Sequence, residues 1–134
     1  MTSDTNVSNT VLTTLLHLVP PFLPEGAEVM TMTVELPPGD AGTPPHRHSG
    51  PVFGYLTEGE MVFELEGEPE RVIRAGEAFW EPGGDVIHYQ AANNLADAWT
   101  RFVVVMIGVP GSRCSPSSER TSWRPAATAA LRVR

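Results

Sequence analysis

Three of the four histidines stand in a pattern that can do chemistry. His46 and His48 flank Arg47, and in an extended chain side chains two residues apart point to one side. Two neutral imidazoles on one face make half of a metal site. His88 follows the turn Pro82-Gly83-Gly84-Asp85 and could bring a third nitrogen from a distant strand. The pair alone is a weak signal, because H-x-H also occurs on plain surfaces. Its setting raises it: a Pro- and Gly-rich stretch precedes it and a run of strands follows. His17 lies in an apolar segment with no ligand partner near it in sequence. The single cysteine, Cys114, excludes an internal disulfide, and without a Cys/His cluster a structural zinc site has no basis. No nucleophile elbow and no phosphate-binding glycine loop is present.

The elements that must position these residues are short strands. Twelve Gly and thirteen Pro in 134 residues make turns frequent and long helices unfavourable. Met30, Met32, Val34 and Leu36 alternate with Thr31, Thr33 and Glu35, the period of a half-buried strand. Further strands are predicted over 52–56, 60–66, 70–74, 78–81, 86–91 and 99–107. Thr57-Glu58-Gly59 reads as the turn of a hairpin between the second and third strands. Val11–Leu18 reads as a short strand or a helical turn, stopped by Pro20, Pro21 and Pro24. About eight short strands with regular turns imply an all-β sandwich or barrel. The predicted division is an N-terminal arm over 1–26, a barrel over 27–108 and a disordered basic tail over 109–134.

With these residues in place the chain resembles the cupin superfamily, as a small single-domain member. Pro38-Gly39, His46-Arg47-His48 and Gly59 look like its first motif, G-x₅-H-x-H-x₃₋₄-E-x₆-G. Gly76, Pro82-Gly83-Gly84 and His88 resemble its second, G-x₅-P-x-G-x₂-H-x₃-N. The match covers roughly residues 27–108. It implies a double-stranded β-helix, a jelly-roll barrel, holding one divalent transition metal through His46, His48 and His88. The departures carry information. The family's carboxylate ligand would stand seven residues before Gly59, where this chain has Val52. The family's Asn slot is Ala92, with Asn93 and Asn94 just after it. A site of three imidazoles is neutral; nitrogen ligation suits Fe, Ni, Cu or Zn, makes Mn less suitable and gives no case for Mg or Ca.

Parity points to two polar groups near the site. Gln90, two residues after His88, shares its predicted inward face and could hydrogen-bond substrate or bound water, or ligate weakly. Glu81, at the lip of the Pro-Gly-Gly turn, could orient a histidine or act as a base. Val52, Met30, Met32, Phe63 and Phe102 are the predicted pocket wall. Phe53 and Tyr55 have the parity to face away from the metal, while Phe79 and Trp80 read as core or pocket wall. Arg101 is expected to meet Glu35 or Glu64 across strands. The acid run from Glu58 to Glu70 is expected to be a solvated sheet face.

Charge narrows the partners. There is no Lys; residues 1–108 carry a formal −11 and residues 109–134 a formal +4. A body that acidic repels phosphate backbones, so no nucleic-acid partner is expected. No stretch approaches the roughly 20 apolar residues of a membrane helix, and a soluble, cytoplasmic protein without a membrane partner is expected. The resemblance implies a homodimer, with the apolar stretch Val11–Leu23 as the contact; that stretch could equally cover an open side of the barrel. The leading function is a metal-dependent enzyme on a small, largely apolar molecule, with oxygenase-type chemistry ahead of isomerisation or elimination. The alternatives are a non-catalytic module binding a metal or small molecule, and a metal-free structural barrel.

Overall fold

The computed structural model describes residues 8–112. Residues 1–7 and the predicted basic tail from 113 onward, with Cys114, lie outside the described residues. Seven strands form: β1 (Glu28–Leu36), β2 (Val52–Glu58), β3 (Glu60–Leu65), β4 (Arg71–Arg74), β5 (Ala78–Glu81), β6 (His88–Asn93) and β7 (Thr100–Gly108). They pair antiparallel in two sheets, one in the order β1-β7-β2-β5 and the other β4-β3-β6. This is the all-β jelly-roll barrel that the sequence implied. The eighth predicted element is absent: Val11–Leu18 is neither strand nor helix, since among the described residues no strand pairs with it. No helix among them is long and apolar enough to cross a membrane.

Alternation builds the core. Leu36, Val52, Leu56, Phe102, Val104 and Met106 from the first sheet meet Met61, Phe63, Leu65 and Ile73 from the second, all buried. Fully burying a side chain of this size contributes roughly 1.5–3 kcal/mol, so these strands hold their faces firmly. Arg101, on the outer face of β7, bonds Glu35 (2.9 Å) and Glu58 (2.8 Å). The expected pair with Glu35 is therefore present, and Glu58 replaces Glu64 as the second partner.

The predicted hairpin between the second and third strands does not form. β2 and β3 belong to different sheets, and the chain turns the corner between them at Gly59. A bulge with Thr57 as the extra residue breaks the β2–β7 register just before it. Gly59 has φ +86°, and a Cβ there would sit 2.3 Å from Thr100 Oγ1. Only glycine allows this approach. Thr57-Glu58-Gly59 has the composition of a tight turn, but composition does not say which sheet the next strand joins.

A second bulge, in β6, matters more for the site. Glu64 pairs with Gln90 but Leu65 pairs with His88, so Tyr89 is the extra residue. Its effect is a change of phase. His88 and Ala91 face the interior, and Gln90 faces out, where its amide reaches Glu64 (3.2 Å) and Glu70 (2.8 Å). The inward placement expected of Gln90 is thus corrected. Glu64 is also not on a solvated face; it is 3% exposed.

The same shift brings Asn93, not Ala92, to the base of the barrel. Its Nδ2 lies within 2.8 Å of Pro37 O and Ala98 O and 3.1 Å of Leu36 O. Its Oδ1 accepts from Leu95 N (2.9 Å) and Thr100 Oγ1 (2.7 Å). One buried amide thereby ties the ends of β1, β6 and β7.

Candidate metal centre

Backbone contacts between distant segments assemble the site. His46 and His88 form an isolated antiparallel bridge, with His46 N donating to His88 O (3.1 Å) and His88 N to His46 O (2.8 Å). His48 O accepts from Gly84 N at 2.8 Å. Beside it, Gly83 (φ +74°) leaves no room for a side chain, since a Cβ would lie 2.1 Å from Gly50 O. The Pro-Gly-Gly turn thus clamps the loop carrying His48 against the strand that follows it.

These contacts bring the three predicted histidines together. Their rings lie 4.6, 5.1 and 6.0 Å apart between centroids, and each is buried at 4–6% exposure. One ligand nitrogen from each lies within 4.8 Å of the other two, a group that could hold a metal ion. Second contacts aim the rings. His46 Nδ1 donates to Pro44 O (2.7 Å), leaving its Nε2 lone pair toward the site. His88 Nε2 donates to Gln90 O (3.0 Å), leaving its Nδ1 lone pair inward. His46 Nε2 and His48 Nε2 face each other at 3.0 Å.

His88 Nδ1 is the one buried side-chain nitrogen or oxygen without a hydrogen-bond partner among the described residues. Such atoms are rare in folded proteins, and this one points at the other two imidazoles. The donor set fits a divalent transition metal: neutral nitrogens, buried, convergent and oriented from behind.

Burial keeps the three imidazoles neutral. It pushes the His48 pKa down to about 3, with the neighbouring His46 adding to the fall. Burial also holds His88 well below the ordinary histidine range, with His46 and His48 adding to it. His46 is lowered by burial too, opposed by its bond to Pro44. The unfolded chain, with histidines titrating near 6.5, therefore binds protons that the folded chain refuses. Stability from these groups is complete above about pH 6.5 and is lost as pH falls from there toward the folded values. We expect the metal-free protein's melting temperature to decline already between pH 6.5 and 5, before most carboxylates titrate. Thermal melts across that window test this, and a flat profile would contradict it.

A cavity of about 70 Å³, partly open to solvent, lies against the imidazoles. Its wall is mostly apolar: Val34 and Leu36 from β1, Val52 from β2, Phe79 from β5, Ala91 from β6, and Phe102, Val104 and Met106 from β7. Thr43, the three histidines and Glu81 supply its polar part. Of the predicted pocket residues, Val52 and Phe102 line this cavity. Phe63 lies in the core, its ring 5.0 Å from that of His88. Met30 and Met32 do not line it; the cavity meets β1 at Val34 and Leu36, farther along the same inward face. The two-residue period of β1 and β7 carried that signal, but not how far along each strand the cavity lies. Trp80 is neither core nor wall; it stacks on Phe53 at 6.1 Å on the outer face, and Tyr55 is 41% exposed.

Glu81 is deeper than a lip residue. It is 3% exposed, with Oε2 3.2 Å from His88 Nδ1 and Oε1 3.6 Å from His48 Nε2.

Comparison with known proteins agrees with this architecture. A family model described as a cupin domain matches residues 32–106. Among solved structures, an RmlC-like cupin family protein with a double-stranded β-helix fold from Methanocaldococcus jannaschii aligns at 21% identity and TM-score 0.53, over 78% of this chain and 91% of that one. The DMSP lyase DddQ from Ruegeria pomeroyi aligns at 24% identity and TM-score 0.54, over 63% and 41%. An oxalate oxidase, solved with the substrate analogue glycolate, aligns at 29% identity and TM-score 0.51, over 60% and 42%. The chain thus spans about two fifths of the lyase and of the oxidase. No curated protein matches it in sequence.

Proposed function

The chain belongs to the cupin family, and from that premise we propose that it is a metal-dependent enzyme acting on a small, largely apolar organic molecule, with oxygenase-type chemistry. The observation that carries the reading is the convergence of three buried, neutral imidazoles at the end of an apolar cavity. His46, His48 and His88 would hold one divalent ion of Fe, Ni, Cu or Zn. When bound, such an ion supplies a Lewis acid and a template for a substrate that chelates it. The chain's own contribution is the rest. Val34, Val52, Phe102 and Val104 exclude water and favour an apolar substrate body. The carbonyls of Pro44 and Gln90 fix which nitrogen of His46 and of His88 faces the site. The likeness to an oxalate oxidase at 29% identity is in keeping with the oxidative branch.

The test is elemental analysis of protein purified without chelators or affinity metals, followed by oxygen-uptake assays of the iron-loaded form against small chelating acids, diketones and phenols. Near-stoichiometric metal with substrate-dependent oxygen uptake supports the reading. Bound metal with no turnover would leave a binding module as the better account. No metal, and none taken up on incubation, would overturn the metal centre itself.

The same reading includes a cytoplasmic homodimer with no nucleic-acid or membrane partner. The dimer contact draws its support from the segment before β1, where Val11, Leu12 and Val19 are 83%, 91% and 90% exposed. Apolar exposure of that extent in one run suits a contact surface. Deleting residues 1–24 should lower the solution mass to that of a monomer by light scattering; an unchanged mass would sink the dimer contact.

A further inference from the structure

We propose that Glu81 is the fourth protein ligand of the metal, delivered from β5 across the strand ladder from Val52. This rests on the metal-centre reading above and deepens it. Val52 and Glu81 are direct partners in the β2–β5 register, and both line the cavity. The side chain at 52 is a hydrocarbon, so β2 offers no donor there. Its neighbour on the next strand carries a carboxylate aimed at the same point, one oxygen toward His88 Nδ1 and the other toward His48 Nε2.

Placement favours ligation over a role as base or orienting partner. Glu81 is almost wholly buried and lines the cavity beside the three imidazoles. Its two oxygens approach two different histidines, at 3.2 and 3.6 Å, a reach that suits one ion shared at their focus. The nearer nitrogen, His88 Nδ1, makes no hydrogen bond, so the approach of Glu81 Oε2 is not a formed hydrogen-bonded pair.

Ligation by Glu81 changes the metal preference. A neutral three-histidine site leaves the ion's full double charge in a largely apolar cavity; a carboxylate halves it and adds a hard oxygen donor. That restores a place for Mn²⁺ beside Fe²⁺ and weakens the advantage of purely nitrogen-loving ions.

The experiment titrates the metal-free full chain with Mn²⁺, followed by electron paramagnetic resonance, and with Zn²⁺, followed by competition with a chromophoric chelator. The proteins are the wild type, Glu81→Gln, and the double variant Glu81→Val with Val52→Glu. Melting of each metal-free protein shows whether it folds. We expect Glu81→Gln to lose Mn²⁺ affinity at least ~10-fold more than Zn²⁺ affinity, and the double variant, which returns a carboxylate from the facing strand, to recover Mn²⁺ binding. If both ions weaken together in Glu81→Gln, or neither weakens, Glu81 is not a ligand and the three-histidine centre stands without it. If the wild type takes up neither ion, the metal centre fails and this inference with it. Should Glu81→Gln fail to fold, the double variant decides: Mn²⁺ bound as in the wild type supports a carboxylate ligand at this point, and folded protein that binds Zn²⁺ alone overturns it.

Discussion

Replacing His48 by alanine should leave the purified protein without metal. His48 Nε2 stands 3.0 Å from His46 Nε2, within the ligand group, and its removal leaves two imidazoles tied to each other through the His46–His88 bridge. Loss of a group that merely orients a ligand costs roughly 10–100-fold in metal affinity; loss of a ligand itself should exceed that. Metal content by elemental analysis, with oxygen uptake beside it, reads the effect. Thermal melting of the metal-free variant separates it from unfolding, because removing a buried imidazole that resists protonation should leave stability less sensitive to acid. His48→Ala protein that retains stoichiometric metal would remove His48 from the centre.

Asn93→Ala should be the most destabilising single change outside the hydrophobic core. Asn93 is 8% exposed, and its amide serves three carbonyls, a backbone N–H and the Thr100 hydroxyl. Each buried group left without a partner costs about 1–3 kcal/mol. Water can re-enter at the strand ends for some of them, so the expected loss is roughly 3–5 kcal/mol. Chemical denaturation measures it. Asn93→Asp keeps the acceptor and loses the donors, so it should recover only part of the stability. A cost below about 1 kcal/mol for the alanine variant, the scale of one ordinary hydrogen bond, would show that the knot at the barrel's base is dispensable.

Much of this molecule was legible in the sequence, and the parts that were not share a cause. The strands follow from alternation and turn residues, and six of the seven begin within one residue of the predicted start. The three histidines follow from spacing within two motifs. What failed was phase. Counting two residues from His88 puts Gln90 in the interior, a count that holds only while the strand is regular. The bulge at Tyr89 inserts one residue and turns Gln90 outward, and it also explains why an asparagine one place beyond the family slot does the tying. Bulges carry no strong composition signal, because the extra residue is set by how two strands meet. The sheet crossing at Gly59 escaped for a related reason: turn residues mark where a chain bends, and the destination of the next strand is a property of the whole fold. The turn before His88 marks Glu81 as near the site, but its depth depends on the β2–β5 register, which no local pattern carries.

The closure of β1 on β7 sets the order in which this protein can come into being. Glu28 pairs with Gly108 and Leu36 with Thr100, so the sheet joins the first strand of the barrel to the last. β2 also depends on β7, pairing with it from Val52 to Glu58; only β3 and β4 are neighbours in both sequence and sheet. A chain emerging from the ribosome therefore holds β1 and β2 without their shared partner until synthesis has passed Gly108. Until then the edges that β7 will occupy stay open to other strands. Non-local pairing of this kind places folding among the slow topologies, milliseconds to seconds. The imidazoles of His46 and His88 can meet through their own bridge before the barrel closes, but the Phe102, Val104 and Met106 part of the cavity wall arrives with the last strand, so the apolar side of the site is completed only when the fold is.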